Sequence, residues 1–225
     1  MKKILAFLFT ALFVSCSENT PKVSKEEIKN AEIIFDTLTI GKKVYQMQDL
    51  QDTNFVFEKF DSYDPSDSAY IAKNKDVVSR TGDTLFLKCD NGRIVKIKSN
   101  RDEGDYEVYE FKYLNKEINT FVIMCSFYES SSIWLVNKTN GDSLETVGFP
   151  IVSPNKKQFI CANTDLEAGF SGNGIELFGY DNKTIASKGF RELFNWGPEK
   201  VTWKNDTTLI VVVMERDGEN GLRQF

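Results

Sequence analysis

The chain has 225 residues, a formal charge of −5, 41% apolar and 27% charged residues, and no histidine. That length suits one domain with a hydrophobic core of its own. Without histidine, Ser-His-Asp, Cys-His and histidine-based metal chemistry are excluded, and an acidic chain with no basic stripe is a poor match for nucleic-acid phosphate.

Residues 1–15 begin with Lys2-Lys3 and continue in an apolar run from Ile4 to Val14. The run is too short to cross a bilayer as a helix, which takes about 20 residues, and it predicts a secretory signal. Its end, Phe13-Val14-Ser15-Cys16, resembles the lipid-attachment box of bacterial lipoproteins, with Phe13 and Val14 standing where that family prefers Leu and Ala or Ser. The resemblance implies that Cys16 carries acyl chains, palmitate among them, and holds the protein to a membrane of the bacterial cell envelope. Ser17 after the cysteine fits the outer membrane, facing periplasm or cell surface. Residues 16–24 are polar and predict a lipidated tether. Ser24-Lys25-Glu26-Glu27 fits a capping box and predicts one short N-terminal helix over Lys25 to Ile33.

From Asp36 the apolar period falls to two, and residues 25–225 read as a single β-domain. Leu38, Ile40, the Gly41-Lys42 turn, Val44, Tyr45 and Met47 predict a hairpin. Asp61 to Ser68 reads as a solvated loop. Asn91-Gly92 between Leu85–Cys89 and Arg93–Lys98 is a strong hairpin signal. Tyr106 to Tyr113 alternates as a strand, and Thr120 to Asn163 holds several apolar runs parted by turns. Ile175–Tyr180 and Thr184–Ser187 predict a further hairpin. Trp196-Gly197-Pro198 reads as a break, Thr207–Met214 as the last strand, and Glu215–Phe225 as a fraying end.

Three segments overlay on one another: Ser79–Leu87, Ser153–Cys161 and Trp203–Val211, each a small polar turn launching an apolar strand. Such self-similarity marks repeat architectures. Phe149 to Lys157 with its strand to Cys161 resembles the Ser-Pro-Asp-Gly-Lys turn of periplasmic β-propellers of the Tol-system type. Here Asn155 and Lys156 replace Asp-Gly. The block from Arg80 to Val213 also resembles uncharacterised envelope proteins of bacteria, a resemblance that brings no activity with it. The expected fold is all-β, with antiparallel hairpins in blade-like repeats. Residues Asp36 to Met214 supply about four blades, which fits a small or incomplete propeller and equally a β-sandwich.

Cys89, Cys125 and Cys161 sit in apolar runs and read as core thiols, although an exported chain permits a disulfide between two of them. No cofactor or metal motif is evident. The Asp165–Gly174 loop offers oxygen ligands but lacks the order of an EF-hand. Glu129 and Glu167 are carboxylates near loops, and Tyr128 and Trp196 are the aromatics placed nearest to loops. Together Tyr128, Glu129, Asp165, Glu167 and Trp196 form the expected partner or ligand surface. The sequence thus points to a non-catalytic envelope protein that binds another envelope macromolecule, with a small-ligand or glycan binder as the alternative and a carboxylate-based hydrolase as a third reading.

Overall fold

The computed structural model describes residues 4–8, 36–50, 55–57, 67–181, 183–217 and 221–224. The period-two segments fold as strands. In chain order these are β1 (Ile4–Leu8), β2 (Asp36–Ile40) and β3 (Lys43–Leu50), then the helix α1 (Ser68–Lys73), then β4 (Val78–Thr81), β5 (Thr84–Lys88) and β6 (Ile94–Lys98). There follow β7 (Glu107–Asn115), β8 (Thr120–Phe127), β9 (Ser131–Asn137), β10 (Ser143–Thr146), β11 (Pro150–Val152), β12 (Gln158–Asn163), β13 (Gly174–Tyr180) and β14 (Ile185–Glu192). The last are β15 (Trp196–Asn205), β16 (Thr208–Asp217) and β17 (Gly221–Gln224).

Among the described residues the strands make four antiparallel sheets and no closed barrel. Sheet I runs β15-β16-β1-β3-β2 with β17 beside β16, sheet II β4-β5-β6, sheet III β10-β9-β8-β7 and sheet IV β11-β12-β13-β14. The all-β expectation holds: the architecture is a fan of small antiparallel hairpin sheets, which fits an incomplete propeller-like arrangement and equally a sandwich.

Side-chain alternation sets the order of the fan. On β12, Phe159 and Cys161 join a core with Val122, Ile133 and Leu135 of sheet III, while Ile160 joins a core with Leu38, Tyr45, Leu209 and Val211 of sheet I. Sheet III divides in the same way, turning Phe121, Ile123 and Cys125 toward Leu85 and Leu87 of sheet II. The layers are therefore stacked II–III–IV–I. Among the described residues no apolar core cluster joins II to I.

Polar contacts between turns repeat this order. Asp90 of sheet II accepts from Asn119 Nδ2 at 3.0 Å and pairs with Lys138 Nζ of sheet III. Asn137 Nδ2 donates to Lys183 O at 2.6 Å, joining III to IV. Asp206 accepts from Asn155 N at 2.8 Å through Oδ1, and from Gln158 Nε2 at 2.7 Å through its carbonyl, joining I to IV.

The three overlaid segments fall at matching places. Each spans the turn of a hairpin whose first strand, β4, β11 or β15, is an edge of its sheet, closed by Thr81↔Thr84, Val152↔Phe159 and Asn205↔Thr208. In the Ser153 turn, Asn155 Oδ1 accepts from Lys157 N at 2.9 Å, and Lys156 takes φ 59°, the left-handed conformation that suits the Gly of the resembled pattern. The three cysteines are free and buried, as core thiols, and burial pushes the Cys125 and Cys161 thiols up.

Several expectations are corrected. Of the expected solvated loop Asp61–Ser68, residues 61–66 lie outside the described residues and Ser68 is exposed, but Asp67 is largely buried, accepting from Arg80 Nε at 3.1 Å and from Phe111 N at 3.1 Å. Trp196-Gly197-Pro198 does not break the chain but opens β15. Pro198 is tolerated there because β15 is a sheet edge and its register shifts at that point. Within the expected fraying end, the described residues are strand: β16 runs on to Asp217 and β17 pairs with it at Met214↔Gln224. Ile4–Leu8, within the expected signal, forms the strand between β3 and β16. Cys16, the tether and the expected helix over Lys25 to Ile33 lie outside the described residues.

Two left-handed positions behave oppositely. At Gly41 (φ 59°) an added Cβ would lie 1.8 Å from the carbonyl oxygen of Lys188, where β14 bulges against the β2–β3 turn. Lys156 already carries its side chain, in the open. Gly41→Ala is therefore expected to destabilise by well over the ~1 kcal/mol cost of the left-handed backbone, while Lys156→Gly is neutral or stabilising by up to about 1 kcal/mol. Denaturant midpoints of the two variants check this; similar losses in both would contradict the packing of sheet I on sheet IV.

Candidate functional site

Antiparallel register decides which loops meet. The closing pairs Ser126↔Ser131, Thr146↔Ile133, Pro150↔Cys161, Asn163↔Gly174, Gly174↔Glu192 and Trp196↔Glu215 place residues 127–130, 147–149, 164–173 and 193–195 at one end of the fan. All five residues expected at a binding surface lie there. Tyr128 is 82% exposed, and Glu129 and Glu167 are exposed beside their loops. Asp165 is half-buried. Trp196 is half-buried too, packed against the core between sheets IV and I, so its ring serves packing while its carbonyl serves the loop.

The loops are tied to one another by side chain to backbone hydrogen bonds. Asn173 is the centre of these ties. Its Nδ2 donates to Leu193 O at 2.5 Å and to Trp196 O at 3.0 Å, and its Oδ1 accepts from Asp165 N at 3.2 Å. Ser171 Oγ donates to Ser131 O at 3.3 Å, and Arg216 Nη2 donates to Leu166 O. Loops from sheets III, IV and I are thereby held in one arrangement, which lowers the ordering cost of any binding event.

Asp165 builds its own loop. Its Oδ1 accepts from Ala168 N at 3.1 Å and Gly169 N at 2.8 Å, and its Oδ2 from Ser171 N at 2.7 Å. Burial alone would raise this carboxyl, but the loop amides of Ser171, Gly169, Phe170 and Ala168 outweigh it and hold it below the ordinary range. Its oxygens are thus committed to backbone. Among the described residues no group of three or more His, Cys, Asp or Glu is arranged to hold a metal ion.

Between the loops runs a groove of three adjoining hollows. The first, about 350 Å³, lies between Phe127, Phe170 and the carboxylates Glu145 and Glu176. It shares Ser131, Ser132 and Val147 with a second of about 420 Å³, walled by Met124, Phe149 and Pro198. That one continues past Asn163 into a third of about 460 Å³ along Asp165–Ala168 and Met214. Glu176 faces Cys161 across the sheet and accepts from Val147 N at 3.0 Å. Burial, with the charge of Glu145 nearby, pushes its carboxyl up despite that hydrogen bond. Thr164 Oγ1, beside the third hollow, is buried without a hydrogen-bond partner.

Exposed aromatics gather at the same end. Besides Tyr128 these are Phe170 at 55%, Phe190 at 43% and Phe194 at 74% exposure, four of the seven large apolar side chains exposed among the described residues. Phe170, Phe194, Asn173, Glu145 and Glu176 were not singled out in the sequence. Only Asn173 carries a local cue, its place between Gly172 and Gly174; the others become visible when register brings separate strands together. No family model, curated protein or solved structure matches the chain.

Because the folded Asp165 carboxyl titrates below the unfolded one, its contribution to the loop is complete above the unfolded value of about 3.9 and is lost as pH falls through the lower folded value. The amide shifts of Gly169 and Ser171 are expected to titrate together with a midpoint below that of an unfolded Asp. In Asp165→Asn the acid step disappears and the loop amides exchange faster at every pH. A midpoint at or above the ordinary aspartate value would contradict this role.

Proposed function

We propose that the protein is a non-catalytic, lipid-anchored component of the bacterial cell envelope, held to the membrane at Cys16 and binding another envelope macromolecule with its loop end. The observation that carries this reading is the exposed set of Tyr128, Phe170, Phe190 and Phe194 on loops and a strand end fixed by Asn173 and Asp165. Aromatic side chains supply large contact area with few rotors to freeze, and apolar clusters of this kind are typical centres of protein interfaces. Rigid loops on a sheet scaffold need little rearrangement to bind.

The groove favours a second reading, a glycan or small polar ligand held between Phe127, Phe170 and the Glu145–Glu176 pair. The two readings separate cleanly. In the first, affinity capture from envelope membranes with the lipid-anchored protein recovers a partner, and Phe170→Ala with Phe194→Ala reduces recovery at least tenfold without changing the melting temperature. Recovery of no partner, together with a thermal shift on adding envelope glycans, would overturn it in favour of the second. Acyl-chain labelling that is present in the wild type and lost in Cys16→Ser is expected; an unlabelled wild type would remove the anchor.

A further inference from the structure

Sheet I contains a strand position whose occupant comes from the leader. β1 pairs antiparallel with both neighbours, Ile4 lying between Leu50 and Val212 and Leu8 between Gln46 and Thr208. β3 and β16 do not pair with each other. They stand two strand spacings apart, about 9.6 Å. β17 lies on β16 in line with β1, Gln224 at Met214 and Ile4 at Val212, so the row along β16 is filled from one end by the C-terminal hairpin and from the other by the leader.

This placement conflicts with export. A leader removed during passage through the membrane cannot remain as an internal strand of the processed domain. The conflict rests on the proposed reading of residues 1–15 as a signal that is cut away. Once it is gone, the facing backbone groups of Gln46–Leu50 and Thr208–Val212 lose their partners. Buried backbone groups left unpaired are costly, and Leu209, Ile210 and Val211 are fully buried here.

The gap cannot simply close. β3 and β16 run in the same direction, both antiparallel to β1, so direct pairing would need a new parallel register. It would also need β2–β3 to move by about a strand spacing, yet Leu38, Ile40, Tyr45 and Met47 are fixed in the core shared with sheet IV. The β2–β3 turn is seated on the β14 bulge so closely that a Cβ on Gly189 would lie 2.5 Å from Gly41 Cα.

We infer that in the processed protein the position between β3 and β16 is an acceptor site for an extended, apolar strand of another polypeptide, running antiparallel to both flanks. The seated segment Ile-Leu-Ala-Phe-Leu defines the chemistry of the occupant: five apolar residues with no proline and no charge. Recognition is main-chain pairing on two edges at once, the β-addition mode in its enclosed form.

Amide exchange at Gln46–Leu50 and Thr208–Val212 tests this, with β12 amides as the internal control. The full 225-residue chain made without export keeps its leader and is expected to protect both stretches. The processed, lipid-anchored form alone is expected to exchange there at least tenfold faster, and a synthetic peptide of residues 3–10 is expected to restore protection. Ala6→Pro in the full chain, which removes a central ladder donor, is expected to open the same two stretches while β12 stays protected. Processed protein that protects both stretches unaided, as a monomer or as a dimer by mass, would overturn the inference, and so would a peptide that restores nothing. The mass of the processed chain separates the two readings: if residues 1–15 are retained, export processing fails, while Ala6→Pro still tests the strand position.

Discussion

Everything in this fold depends on two sheets that are buried on both faces. β12 and β13 send Phe159, Cys161, Phe178 and Tyr180 to one side and Ile160, Ile175 and Leu177 to the other, so one pair of strands belongs to two cores. Phe159 and Phe178, cross-strand partners, stack with centroids 4.8 Å apart. Large side chains buried to this degree stabilise by about 1.5–3 kcal/mol each, and a register slip of one residue would exchange the two cores. Double burial therefore fixes register, and register fixes which loops meet.

From that follows the asymmetry of the two ends. At one end, short turns carry Asp90, Asn137, Asp206 and Asn155, which stitch each sheet to its neighbour. At the other, the loops of sheets III, IV and I carry exposed aromatics, and the longest of them, residues 164–173, is locked by Asn173 and Asp165. A scaffold stitched on one side and displaying on the other suits recognition. The groove is mixed in character, with the carboxylates Glu145 and Glu176 at one stretch and Met124, Phe149 and Pro198 beside Ser131, Asn163 and Lys200 at the next.

Much of the scaffold was legible in the sequence because its signals are local. Asn91-Gly92 and Gly41-Lys42 are turns that only left-handed residues make cheaply, and Thr120 to Phe127 reads as a near-continuous apolar run because both its faces are buried. What was missed is non-local or offset by context. Pro198 looks like a breaker until β15 is known to be an edge. Ser68–Lys73 carries no side-chain cap at Asp67, whose carboxylate is drawn away to Arg80 and Phe111. Trp196 sits beside a loop in sequence and against a core in space. Asn173 and Glu176 are ordinary polar residues until the strand pairing sets Leu193, Trp196 and Val147 beside them.

The β1 position and the loop end bear on one proposal from two directions, namely that this domain binds a second polypeptide. Site-specific photocross-linking in intact envelopes addresses the loop end most directly, with the probe placed in turn at Tyr128, Phe170 and Phe194 and, on the stitched end, at Lys157 and Asp142. Recognition by the aromatic loops requires that the first three positions yield one shared adduct and that the last two yield none. Adducts only from Lys157 or Asp142, or none at the aromatic positions while the protein remains folded and membrane-bound, would contradict it.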